Sequence, residues 1–213
     1  MDRRRALKNI GLGAGFMVAT PTVLSLLQSC TNEPSFIPVF LSEDEGQALR
    51  RMVDLIIPSD AEIPGAADLG VHQFIDGFWD DVILEEEQQQ IRTAFSILND
   101  KFQTTFNKEL GAGKAKEFDQ LLDKYLNISK EEQKAYDEKM ADFYQVFAGD
   151  KSIKPQADAA CNALLSQIRG MTIWGWKNTE QIGEQVLVYE PIPGQQIGCL
   201  PLSEATGGKA YSL

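Results

Sequence analysis

Residues 85–110 read EEEQQQIRTAFSILNDKFQTTFNKEL, and within them Ile91, Phe95, Leu98, Phe102 and Phe106 recur every three or four positions. That period lays the apolar side chains along one stripe of an α-helix, whereas a half-buried strand would place them at every second position. No Gly or Pro interrupts the stretch before Gly111 and Gly113. The pattern therefore predicts one long amphipathic helix over 85–110. Its opening Glu85-Glu86-Glu87 run reads as a solvated face.

The same period continues in both directions. Upstream, LSEDEGQALRRMVDLIIP starts with Ser42 and Glu45 in capping-box spacing, carries Leu49, Met52, Val53, Ile56 and Ile57 at helical intervals, and stops at Pro58. SDAEIPGAADLG then reads as a loop with Pro64-Gly65 as its turn, and GVHQFIDGFWDDVI as a helix with Val71, Phe74, Ile75 and Phe78 on its apolar face. Downstream, Phe118, Leu121, Leu122 and Tyr125 mark a helix over 114–126. A second capping box, Ser129 with Glu132, opens a helix striped by Tyr136, Met140, Phe143 and Phe147. QADAACNALLSQIRGMTIWGW gives one more helix after Pro155. The last forty residues are rich in Gly and Pro and have no period. The expected fold is all-α: a single helical domain with a long irregular C-terminal arm.

The chain has 213 residues and a formal charge of −11, with 16 basic against 30 acidic residues beyond position 29. That balance argues against nucleic acid as a partner, because phosphates need a basic face. It also argues against a broad electrostatic dock onto anionic lipid.

The amino terminus, MDRRRALKNIGLGAGFMVATPTVLSLLQSC, reads as a signal segment preceding the fold, with a basic start and an apolar run from Ile10 to Leu27 broken by Pro21. A retained anchor helix is the competing reading. Arg3 and Arg4, with Leu7 and Lys8 in register, resemble the twin-arginine export motif, although Asp2 and Ala6 depart from it. An ordinary secretory signal fits the same residues. Leu27-Gln28-Ser29-Cys30 resembles a lipobox, which would make Cys30 the lipidated first residue of the mature protein and its acyl chains the membrane anchor. A plain cysteine beside a cleavage site is the alternative. The expected organisation is a signal over 1–29, a tether over 30–40 and a helical domain over 41–213. Cys161 and Cys199 remain, free to form one disulfide or to stand as separate thiols.

Few residues offer chemistry. His72 is the one histidine, and a lone histidine at a helix start is more often packed than catalytic. The sequence has no Glu-x-x-His pair for a carboxylate-bridged metal centre, no phosphate-binding glycine loop, no nucleophile elbow and no C-x-x-C-H haem motif. No catalytic, cofactor or metal residue is assigned. Two stretches stand out instead. One is DLIIPSDAEIPGAADLGVHQFID. The other is GWKNTEQIGEQVLVYEPIPGQQIGCLPL, which with Trp174 places aromatic residues beside a Pro-Gly arm. Such residues are good partner anchors, and they serve equally well to wrap an arm onto its own domain.

These stretches resemble the gluconate 2-dehydrogenase subunit 3 family, the small subunit of membrane-associated FAD-dependent sugar and polyol dehydrogenases. The motifs are Leu41 to Glu45, Asp54 to Pro58, Pro64 to Ala66 and Gly70 to Asp76 in the first half. In the second they are Gly175 to Gly183, Tyr189 to Gly194 and Gly198 to Leu202. The resemblance implies a non-catalytic subunit that holds no cofactor of its own. Its partner would be a large flavoprotein of the glucose–methanol–choline type that carries FAD and sets the substrate, among gluconate, fructose, glucose and glycosides. It also implies export of the folded pair by the twin-arginine route, which favours that reading of Arg3-Arg4, and in some relatives a cytochrome c subunit as electron acceptor. The expected partner interface is Ile57, Pro58, Pro64, Gly65, Val71 and Phe74 with Trp174, Trp176, Tyr189, Pro191, Pro193 and Gly194, where Pro64-Gly65 has a folding reason as well. The alternative is a free-standing periplasmic lipoprotein of binding or scaffold type.

Overall fold

The structure, a computed structural model, describes residues 36–192, 194 and 198–212. Arg3, Arg4 and Cys30, with the signal and most of the tether, lie outside the described residues, as does Pro193. From Ile37 onward the described residues form one unit. They are helical, with no strand among them and one isolated bridge between Val188 and Tyr211.

Seven α-helices follow in order: α1 Glu43–Ile56, α2 Val71–Asp81, α3 Glu85–Phe106, α4 Ala115–Leu126, α5 Lys130–Phe147, α6 Ala157–Lys177 and the short α7 Leu202–Thr206. Both capping boxes form. Ser42 Oγ accepts the Glu45 N–H while the Glu45 carboxylate accepts the Ser42 N–H, and Ser129 and Glu132 repeat the exchange. Each box satisfies donors that a helix start otherwise leaves exposed.

The helix expected over 85–110 ends at Phe106 instead. Asn107 adopts the left-handed conformation (φ 54°) that Asn tolerates at a helix end, and Leu110–Ala112 forms a single 3₁₀ turn. This turn buries Leu110 and hands its N–H to Asn99 Oδ1 at 2.9 Å, while Arg51 Nη1 donates to the carbonyls of Gly111 and Gly113.

α6 is the central helix and packs against α1, α2, α3, α4 and α5. Its buried side is built from small and aliphatic residues, Ala159, Ala160, Cys161, Leu164, Leu165 and Ile168, which allow close approach from several directions. Around it lie the predicted stripes of α1, α3 and α4, with Phe95, Leu98, Phe102 and Phe118 fully buried. Phe102 stacks on Phe118 at 5.1 Å between centroids. Trp79 joins α2 to this core, edge-on to Phe95 at 5.9 Å. At about 1.5–3 kcal/mol for each large apolar side chain removed from water, this layer is the main source of stability.

Two expected faces are corrected. On α2 the buried residues are Val71, His72, Ile75, Asp76 and Trp79, while Phe78 is half-buried and Phe74 exposed. On α5 only Phe147 is buried, and Tyr136, Met140 and Phe143 are half-buried, because that helix packs on α6 at the margin of the domain. The arm is also not wholly irregular. A π-helical turn, Gln181–Val186, buries Ile182 and Gly183 directly after α6. The chain end returns to Val188, whose N–H donates to Ala210 O and whose carbonyl accepts the Ser212 N–H, both at 3.0 Å.

Candidate functional site

The two distinctive stretches meet in space. The loop between α1 and α2 is held by its own hydrogen bonds. Gly65 N–H donates to Ser59 Oγ (2.8 Å), Ala66 N–H to Ile57 O (2.9 Å) and Val71 N–H to Ala66 O (3.0 Å), and Ser59 Oγ donates to the Asp68 carboxylate. Asp60 Oδ1 accepts the N–H groups of Glu62 and Ile63, which holds its carboxyl below the ordinary value. Gly65 is required by close approach, since a Cβ there would lie 2.5 Å from Ser59 N and 2.7 Å from Ile57 O. Onto this loop comes Trp176, whose indole Nε1–H donates to Pro64 O at 3.0 Å across 112 residues of sequence. The preceding residue, Gly175, lets α6 cross α2 closely: a Cβ there would stand 3.0 Å from Val71 Cγ1 and 3.2 Å from Phe74 Cδ1.

That crossing sets Phe74 of α2 against Trp174 of α6 at 5.3 Å, with Phe78 5.9 Å from Phe74. The result is an aromatic ledge, with Trp174 54% and Phe74 38% exposed and Ile173 also facing solvent. The expected interface residues therefore separate by role. Ile57, Pro64, Gly65, Val71 and Trp176 build the crossing and are buried or half-buried, whereas Phe74 and Trp174 are presented. Pro58 is exposed on the loop. Tyr189, Pro191 and Gly194 are exposed on the arm, and among the described residues no ring contact joins Tyr189 to the ledge.

One anchor was not singled out from the sequence. Asp76, buried in α2, gathers the N–H groups that precede α1: Val39 at 2.6 Å, Phe40 at 3.3 Å and Leu41 at 2.9 Å. Arg92 completes the clamp, donating to Phe40 O at 2.9 Å with its guanidinium 4.1 Å above the Phe40 ring. Asp76 closes the G-V-x-x-F-I-D stretch, so the signal lay in plain view. Its target, a backbone segment 35 to 37 residues away, has no sequence mark.

A polar cluster lies on another side of α6. Asp158 accepts from Tyr125 Oη (2.8 Å) and pairs with Lys101 (2.8 Å), which together hold its carboxyl below the ordinary range. Burial pushes the nearby Cys161 thiol up to about 11 and so keeps it protonated. Cys161 is buried and Cys199 exposed, and both are free thiols. His72 is buried in α2. Among the described residues no group of three or more His, Cys, Asp or Glu could hold a metal ion, and no helix is long and apolar enough to cross a membrane.

Fold and site together define an all-helical domain in which the α1–α2 loop, α2 and the end of α6 form one exposed aromatic ledge. A model of the family described as gluconate 2-dehydrogenase subunit 3 matches residues 43–194, and the chain belongs to that family. It is thus an accessory subunit of a dehydrogenase complex and associates with the other subunits of that complex. The match spans the motifs from Asp54 to Gly194 and the last three residues of Leu41 to Glu45, while Gly198 to Leu202 fall beyond it. No curated protein matches the chain, and no solved structure matches it.

Proposed function

We propose that the chain is the non-catalytic small subunit of a periplasmic, membrane-tethered dehydrogenase whose large subunit is a glucose–methanol–choline-type flavoprotein. FAD and the oxidation chemistry belong to that partner. This chain supports its assembly and, through Arg3-Arg4, its folded export by the twin-arginine route, and Cys30 tethers the pair by lipid. A cytochrome c subunit, where present, takes the electrons.

The observation that carries this reading is the convergence of the two motif stretches into the Phe74–Trp174 ledge. The buried motif residues shape the crossing, and what the crossing presents is a pair of large aromatic side chains to solvent. Aromatic anchors of this kind dominate binding energy at protein interfaces. The test is Phe74→Ala/Trp174→Ala, measured by titration against the flavoprotein subunit. Loss of a two-residue hot spot raises Kd by about thirtyfold or more. Unchanged affinity, with the variant's helical spectrum intact, would remove the ledge from the interface.

A further inference from the structure

Resting on the reading above, we infer that the interface extends past the ledge into a groove between α3 and α5 that receives an amphipathic helix of the flavoprotein subunit. The groove encloses about 790 Å³. α3 contributes Ile91 and Ala94 to it, α5 contributes Phe143 and Tyr144, and α6 forms its floor with Leu164 and Gln167. Three helices around an open seam leave the place that a fourth helix fills in a bundle. Ile83 and Leu84 line the seam just before α3, and along α3 it runs from Glu86 to Ala94, roughly two and a half turns at about 3.6 residues each.

Two stripes lead from the ledge to this seam. On α6, Trp174, Gly170 and Gln167 are exposed at helical spacing. On α2, Phe74 and Phe78 are followed at the same spacing by Val82, the C-terminal cap of the helix, two residues before Leu84, which lines the groove and is 71% exposed. An occupant that covers Trp174 is thereby led into the groove. The rim sets its polarity. Glu86 is bridged to Lys151 at the mouth, Glu87 stands on the same α3 wall near the Tyr144 phenol, which burial and then Glu87 push up, and Lys154 lies on the lip between α5 and α6. A helix with an apolar stripe, a Lys or Arg where it passes Glu87 and an Asp or Glu where it passes Lys154 fits the lining.

The experiment places p-benzoylphenylalanine at Leu84, at Tyr144 or at Trp174 in the full chain, co-expressed with its flavoprotein subunit. The assembled complex is irradiated and the cross-linked peptides are sequenced. We expect Leu84 and Tyr144, both exposed and therefore tolerant of the change, to link to one helical segment of the flavoprotein bearing an apolar stripe flanked by charged residues of both signs. Cross-links from Trp174 alone would overturn the groove and leave the ledge standing. Links from the groove positions to a second copy of this chain, or to a non-helical segment, would also overturn it. No link from any of the three positions would overturn both readings.

Discussion

Asp76→Ala leaves the N–H groups of Val39, Phe40 and Leu41 without their acceptor. Several unsatisfied donors at a buried site cost about 3–5 kcal/mol together, and Asp76→Asn, which keeps one acceptor oxygen, costs about half as much. Urea titration gives the size, and faster hydrogen exchange at residues 39–41 gives the place. Glycines supply a contrast of sign. Gly65→Ala drives a methyl into backbone atoms and costs about 1–3 kcal/mol, whereas Gly77→Ala, in α2 with nothing within 4 Å of the new carbon, adds about 0.5–1 kcal/mol. Asp158 sets a pH dependence. Its carboxyl, held below the ordinary 3.8 by Lys101 and Tyr125, contributes stability that is present above that value and lost as pH falls through the lower folded value. Asp158→Asn should lower the urea midpoint near neutral pH and flatten its decline below about pH 4.

At the scale of elements, the carboxyl-terminal arm separates folding from recognition. None of the described residues from Gly194 onward is buried. Deleting 194–213 should therefore leave the helical spectrum and thermal midpoint nearly unchanged while abolishing capture of the flavoprotein. A truncated chain that still co-purifies with it would exclude the arm from the interface. The elements also show what their own sequence could reveal. Period and caps are local, so α1, α3 and α4 were legible with their buried stripes. The end of α3 was misplaced because Asn107, not Gly111, takes the left-handed turn. The face of α2 was misread because Phe74 looks like core by composition. What decides its surroundings is the crossing at Gly175, far along the chain, which lays α6 against the ring while leaving Phe74 38% exposed. For the same reason the motifs were legible as two separate stretches, while the ledge they form, and the split between residues that build it and residues that it presents, depend on tertiary contact.

For the molecule as a whole, the proposed recognition surface and the proposed export signal make one joint prediction. Arg3→Lys/Arg4→Lys should hold both this chain and its flavoprotein in the cytoplasm, whereas a Sec-routed chain would still be exported. The most direct test of the central claim is recovery of the tagged full chain from its own membranes, with the flavin absorbance and subunit ratio of what comes with it. The account predicts a yellow, near-stoichiometric complex with a glucose–methanol–choline-type subunit from the wild type, and loss of that subunit and its colour from Phe74→Ala/Trp174→Ala. A colourless chain recovered alone would contradict the account and point to a free-standing lipoprotein.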